Sequence, residues 1–199
     1  MVKLDALQGE RIHFISVNYR HACIVGSKCF NSLLEKGTVL VFGEDFSGFH
    51  LKSPKKFFKF PHRLLKLTLG RGHGLALTCR GQVFSWGDDT FSEVGSSIIS
   101  NSMEQEYDLD RNIIKNTKLP QMLSNFELPA VDIATGARHS SVLLISGALY
   151  CFGDNSEEQC GKLYQQRCSK PTMIEVPSSE TVIQFGAIFS GEAHNIGVS

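Results

Sequence analysis

The chain has 199 residues, with 20 basic and 20 acidic side chains and 42% hydrophobic content. That apolar share can fill a sizeable core, and the cancelling charges lack the basic excess expected of a nucleic-acid binder. The sequence holds no run of about 18 apolar residues, as a membrane helix would need, and the opening MVKLDALQGERIHF has no signal-peptide core, so the expectation is an intracellular globular protein, cytoplasmic or nuclear, with no membrane partner.

In chain order, one pattern returns three times and begins a fourth: a histidine, a glycine-led apolar strand, then an aromatic-Gly-acidic turn. His21 is followed by Gly37 and VLVFGED (39–45), His73 by Gly81 and VFSWGDD (83–89), and His139 by Gly147 and LYCFGDN (149–155). His194 opens the fourth copy, and the histidines lie 52, 66 and 55 residues apart, a period that marks propellers or solenoids. The six prolines fall in three pairs, Pro54/Pro61, Pro120/Pro129 and Pro171/Pro177. Each pair is read as bracketing an outer edge strand, where a missing N–H is tolerated.

Four short strands per copy result. In the second copy they are predicted at Leu65–Leu69, Leu75–Thr78, Gln82–Gly87 and Pro120–Leu128. The first is read as half-buried through Leu65, Leu67 and Leu69, and the third is apolar on both faces (Val83 against Phe84 and Trp86). A strand covered on both sides lies between two other layers, which is the situation of a propeller blade. The predicted fold is therefore all-β: blades of four antiparallel strands in an incomplete ring. The repeats span about 12–61, 62–129 (with an insertion at 96–118), 130–177 and 182–199, all within one partial propeller domain.

A Trp-Asp repeat would carry Gly-His well before Trp-Asp, whereas His73 is 13 residues before Trp86 and glycine follows the aromatic. Kelch-type paired glycines are absent. The runs LTLGRGHGLALTCRGQVFSWGDDTFSEVG (67–95) and IATGARHSSVLLISGALYCFGDNSEEQCG (133–161) resemble the regulator of chromosome condensation repeat family, and the resemblance covers nearly the whole chain. It implies a seven-bladed ring, against about three and a half copies here. The expectation is a fragment of a larger protein, or a chain whose open edges call for self-association or for a missing propeller half.

His21, His73, His139 and His194, with Gly43, Gly87 and Gly153, are read as structural repeat positions. Symmetry spreads the histidines around an axis and does not gather them into a metal site, and each imidazole is expected to bond nearby backbone. The acidic positions Glu44, Asp45, Asp88, Asp89 and Asp154, with Asn155, follow a strand-ending glycine, where such side chains cap turns; paired catalytic carboxylates or calcium ligands are the alternative. The six cysteines contain no C-x-x-C pair, so neither zinc nor a disulfide framework is indicated. Cys23, Cys79 and Cys151 are read as strand residues, where a thiol acts as a small buried hydrophobe. No phosphate loop, nucleophile elbow or metalloprotease signature occurs, so no cofactor, metal or catalytic residue is assigned and the chain is not read as an enzyme.

Two segments are candidates for partner binding. Lys55, Lys56, Lys59 and Arg63 are interleaved with Phe57, Phe58 and Phe60, which suits either nucleic-acid contact or a nuclear localisation signal, or else protection of an edge strand. The insertion carries Glu104, Glu106, Asp108, Asp110 and Arg111 and is either a solvated loop or a private binding element. The function expected is a protein-interaction module or scaffold within a signalling or regulatory protein. The alternative, implied by the resemblance, is guanine nucleotide exchange on a small GTPase.

Overall fold

The computed structural model describes residues 11–18, 20–27, 38–44, 50–95, 107–108, 113–114, 119–175 and 184–199. The first blade is β1 (Arg11–Val17), β2 (His21–Ser27), β3 (Thr38–Glu44) and β4 (His50–Lys59). The second begins with β5 (Leu64–Leu69), β6 (His73–Thr78) and β7 (Val83–Gly87). A two-stranded ribbon, β8 (Tyr107–Asp108) with β9 (Ile113–Ile114), intervenes before the second blade's outer strand, β10 (Gln121–Met122). The third blade is β11 (Ala130–Thr135), β12 (His139–Leu144), β13 (Leu149–Asp154) and β14 (Arg167–Met173), and a pair, β15 (Ala187–Ser190) and β16 (Asn195–Val198), follows. Each blade is an antiparallel meander in chain order. The sheets stack as propeller blades, and the described sheets do not close into a ring.

Period-two alternation on the middle strands supplies two seams at once. Ala76 of β6 joins Cys23, Val25, Val39, Val41, Phe60 and Trp86 between the first and second blades. Leu75 and Leu77 of the same strand join Ile133, Val142 and Phe152 between the second and third. Trp86 is fully buried, with Phe57 at 5.6 Å and Phe60 at 6.1 Å between ring centroids.

Four expectations need correction. The inner strand carries a bulge in every complete blade, since pairing slips between Ile12 and Phe14, Leu64 and Lys66, and Ala130 and Asp132. The extra residue moves the buried phase: Leu64 and Leu67 are inside while Leu65 is 50% exposed. The prolines do not bracket the outer strands. Pro54 and Pro171 lie within β4 and β14, where one residue of the neighbouring strand faces three and the ladder is already broken. Pro54, Pro120 and Pro171 are equivalent, each preceding a residue (Lys55, Gln121, Thr172) that pairs with the position two before the turn glycine. The predicted strand at 120–128 shrinks to Gln121–Met122; Leu123 packs into the seam, and its N–H makes one more bond to the Val83 carbonyl, at 2.9 Å. Cys79 is exposed in the turn after β6, not a buried strand residue, although Cys23 and Cys151 are buried as expected.

Removing the Trp86 ring empties the tightest part of the first seam. Trp86→Ala is expected to cost about 3 to 5 kcal/mol, read as a drop in the urea midpoint followed by circular dichroism; a loss below about 1 kcal/mol would contradict this packing.

Candidate functional site

The inner turns of successive blades meet around the propeller axis. In each, a glycine N–H donates to the carbonyl of the histidine three residues on: Gly70 to His73, Gly136 to His139 and Gly191 to His194, each at 2.9 Å. The imidazole lies over that glycine, so a methyl group at Gly70, Gly136 or Gly191 would collide with the Cε1 atom of its own histidine. The turns are also tied to one another. The Asn18 side-chain amide donates to the Gly70 carbonyl at 2.6 Å, Arg71 N–H to the Ala137 carbonyl at 2.9 Å, and Ala137 N–H to the Glu192 carbonyl at 3.0 Å. The concavity bounded by these turns has a volume of about 600 Å³ and is lined by residues of all four units, among them Asn18, Arg71, Ala137 and Glu192.

The aromatic-Gly-acidic turns emerge at the same end, because His21, His73 and His139 pair with Gly43, Gly87 and Gly153 in one register. These glycines have φ of 90°, 101° and 110°, a left-handed conformation in which a side chain is strained. The acidic residues then cap the loops. Asp88 accepts from Thr90 N–H at 2.9 Å, Asp89 from Val94 N–H at 3.0 Å, Asp154 from Ser156 N–H at 3.1 Å, and Asn155 from Cys160 N–H at 2.8 Å. Asn155 also donates to the carbonyls of Lys162 and Gln165, both at 2.6 Å, and so ties down the loop that follows. On the neighbouring loop Arg138 sits 4.3 Å above the Phe91 ring, and Arg167 donates to the Thr90 carbonyl at 3.2 Å.

His73 and His139 are both buried, but not in the hydrogen bonding expected of them. The His139 Nε2 atom meets Asn195 Oδ1 of the next unit at 3.1 Å, a side-chain bond. Neither ring nitrogen of His73 has a partner in hydrogen-bonding geometry, although the His139 backbone approaches it. Gly74 and Ser140 stand where the third and fourth units have Ser140 and Asn195, and Ser140 is engaged instead with the Glu93 carbonyl at 2.9 Å. Burial, then the charge of His139, lowers the His73 pKa to about 4, and burial likewise lowers that of His139. His194 is exposed.

Glu93 was not singled out from the sequence. Its Oε2 atom accepts from Phe91 N–H at 2.7 Å, and Gln159 accepts from Glu157 N–H at 2.9 Å in the third blade. Burial raises the Glu93 pKa to about 7, with Asp88 and Asp89 adding to the shift and the backbone bonds opposing it. Comparing SEVG (92–95) with EQCG (158–161) was the available signal, as was a glycine three residues before each of the last three histidines. Cys151, Cys160 and Cys168 touch in the third blade; hydrogen bonding with Cys151 and burial hold the Cys160 thiol far above its ordinary range, and burial pushes Cys23 up to about 12. Thiols held protonated in this way are packing groups.

Of the residues proposed for partner contact, Lys55, Lys56 and Lys59 are exposed on β4, and Arg63 is exposed just before β5. Lys66 turns to the inner strands and pairs with Asp132 at 2.7 Å. Asp108 is a backbone member of β8, while Glu104, Glu106, Asp110 and Arg111 lie outside the described residues. Among the described residues, no group of three His, Cys, Asp or Glu side chains could hold a metal ion.

Comparison with known proteins agrees with this geometry. Two profiles, both described as "Regulator of chromosome condensation (RCC1) repeat", match residues 66–93 and 130–159, and residues 146–198. Alsin of Rattus norvegicus is 28% identical over 140 residues, which is 68% of this chain and 8% of Alsin. The RCC1-like G exchanging factor-like protein of Homo sapiens is 28% identical over 112 residues, 56% of this chain and 22% of that protein. The crystal structure of Prp20p from Saccharomyces cerevisiae superposes with a TM-score of 0.72 at 19% identity, covering 94% of this chain and 44% of Prp20p. The chain thus spans less than half of each of these proteins.

The two buried ionisable groups pull stability in opposite directions with pH. The lowered pKa of His73 contributes stability that is present above 6.5 and is lost as pH falls toward about 4. The raised pKa of Glu93 contributes stability that is present below 4.5 and is lost as pH rises toward about 7. Glu93→Gln, which copies Gln159, is expected to stabilise the chain above neutrality by on the order of 1 to 3 kcal/mol and to do little at acid pH. Urea unfolding across this range checks it, and equal midpoints for the two proteins at pH 8 would refute it. His73→Gln is expected to flatten the acid limb of the same profile; an unchanged slope would show that His73 is not the group titrating.

Proposed function

Because this chain carries regulator of chromosome condensation repeats stacked as propeller blades, we propose that it works as a protein-interaction module or scaffold in a regulatory protein. The observation that carries the reading is a division of labour within each inner turn. The positions that set the turn geometry repeat, as Gly70, Gly136 and Gly191 under their histidines do. The next two positions, partly or fully exposed, do not: Arg71, Ala137 and Glu192 occupy one equivalent place and Gly72, Arg138 and Ala193 the next. A common scaffold bearing individual surface residues is what partner recognition requires. The described cysteines are free, which suits a reducing compartment, the cytoplasm or nucleus, and no described helix could cross a membrane.

Exchange on a small GTPase is the second reading. It is favoured by the likeness to the RCC1-like G exchanging factor-like protein and by the reported binding of Prp20p to Gsp1p and histones. Such a factor performs no covalent chemistry; it lowers the free energy of the nucleotide-free partner by binding that state better. With a panel of small GTPases loaded with a fluorescent guanine nucleotide, the 199-residue chain is expected to leave release rates unchanged. Acceleration by substoichiometric chain would replace the module reading with exchange.

The outermost faces bear on assembly. Ile15 is 57% exposed, whereas its equivalents Leu67, Ile133 and Ile188 are buried against the preceding blade, and Ile196 and Val198 are exposed at the other end. Two such apolar faces favour self-association of the isolated polypeptide. Light scattering should give a solution mass above the 22.0 kDa of one chain; a strict monomer at micromolar concentration would rule this out.

A further inference from the structure

The outer strand of the first blade, β4, is built differently from its counterparts. Its pairing with β3 is broken opposite Phe42 and slips again at Phe57, within the Lys55–Lys59 run. No described strand pairs with its outer edge. The equivalent stretches elsewhere, Gln121–Ser124 and Thr172–Glu175, carry no basic residue. The repeat therefore does not require lysine here, and protecting an edge from mispairing does not explain why one blade alone is so basic.

The bulge at Phe57 has a specific effect. Lys56 pairs with Leu40 and Lys59 with Thr38, two residues apart on β3, so both lysines stand on the same face of the sheet, roughly 7 Å apart. Plain alternation over the three intervening steps would have put them on opposite faces. Between them lies a groove of about 410 Å³ lined by Thr38, Lys56, Phe57, Phe58 and Lys59. Lys56 and Lys59 are exposed beside it, and among the described residues no strand pairs with the adjoining edge of β4.

We propose that the Lys55–Lys59 edge of β4 is a docking strand for an extended acidic segment of a partner protein, one that carries carboxylates at every second residue. Added as a further strand, such a segment satisfies the outward-facing backbone groups of β4, and its alternate carboxylates, all on one face, meet Lys56 and Lys59. Nucleic acid fits the site less well. The Phe57 ring packs on Trp86 at 5.6 Å and the Phe60 ring on Phe84 at 5.2 Å, so these rings are committed to the seam and are not presented as a platform for bases. The site lies on the outer edge, away from the inner turns, and does not depend on the module reading above.

The test uses the whole chain and a short fluorescein-labelled peptide of alternating glutamate and valine, followed by fluorescence anisotropy. Saturable binding is expected, weakening with salt. K56E/K59E should weaken it by at least about tenfold while cooperative thermal unfolding is retained; the milder Lys56→Gln serves if the double variant folds poorly. The same peptide N-methylated at alternate amides keeps its charge but cannot pair as a strand, and should also bind at least about tenfold more weakly. No saturable binding, equal binding by the K56E/K59E chain or by the N-methylated peptide, or tighter binding of an oligothymidylate of equal charge would each overturn the proposal.

Discussion

A four-stranded sheet with apolar side chains on both faces cannot stand alone in water, and every other feature of this chain answers to that constraint. The middle strands are inside on every residue: β6 is buried from His73 to Thr78 and β12 from His139 to Leu144. Each blade can satisfy only one face with one neighbour, so burial propagates along the stack. The seams have similar sizes and different contents. The first is aromatic, with Phe60, Phe84 and Trp86, and the second is mainly aliphatic around the buried Phe152, with Phe126 and Tyr150 at its margin.

Apolar contact fixes which blades touch but leaves them free to slide. The inner turns remove that freedom through directional bonds: the Asn18 side chain to Gly70 at the first junction, then the backbone bonds Arg71 to Ala137 and Ala137 to Glu192. Those bonds require the turns to approach closely, which is why glycine lies beneath the imidazoles of His73, His139 and His194. An inter-strand ion pair supports the same alignment, since Asp132 takes Lys66 from the second blade and the Ile188 N–H from the fourth unit. The scaffold thus spends its repeated residues on geometry. What varies from blade to blade is left at the turn-bearing face and on the outer strands, where the basic β4 differs most from its counterparts.

Much of this was legible in the sequence because it rests on local rules. Positive-φ glycines, Asx caps and period-two strands are each written within a few residues, so Gly87, Gly153, Asp88, Asp154 and the paired apolar faces of β7 and β13 could be placed without knowing their neighbours. The errors arose where a residue's environment came from another strand. The bulge at Leu65 shifted the buried phase because pairing with β6 decides it. Pro54 and Pro171 sit inside strands because the adjacent ladder had already lost its partners there. Glu93 and Gln159 looked like ordinary loop residues until the next blade covered them.

By itself, then, the sequence determined the repeat, the four-stranded unit, the aromatic-Gly-acidic turns and the doubly buried third strand of the blade, since these follow from backbone sterics and side-chain alternation over short spans. Only the tertiary structure decided how histidines in one repeated slot diverge. His139 finds Asn195 of the next unit, His73 finds no partner, and His194 is exposed. The same is true of Lys56 and Lys59 sharing one face. Hydrogen-bond satisfaction, desolvation and strand register are properties of what lies opposite a residue, and in a stack of blades that partner is supplied by a strand or blade distant in sequence.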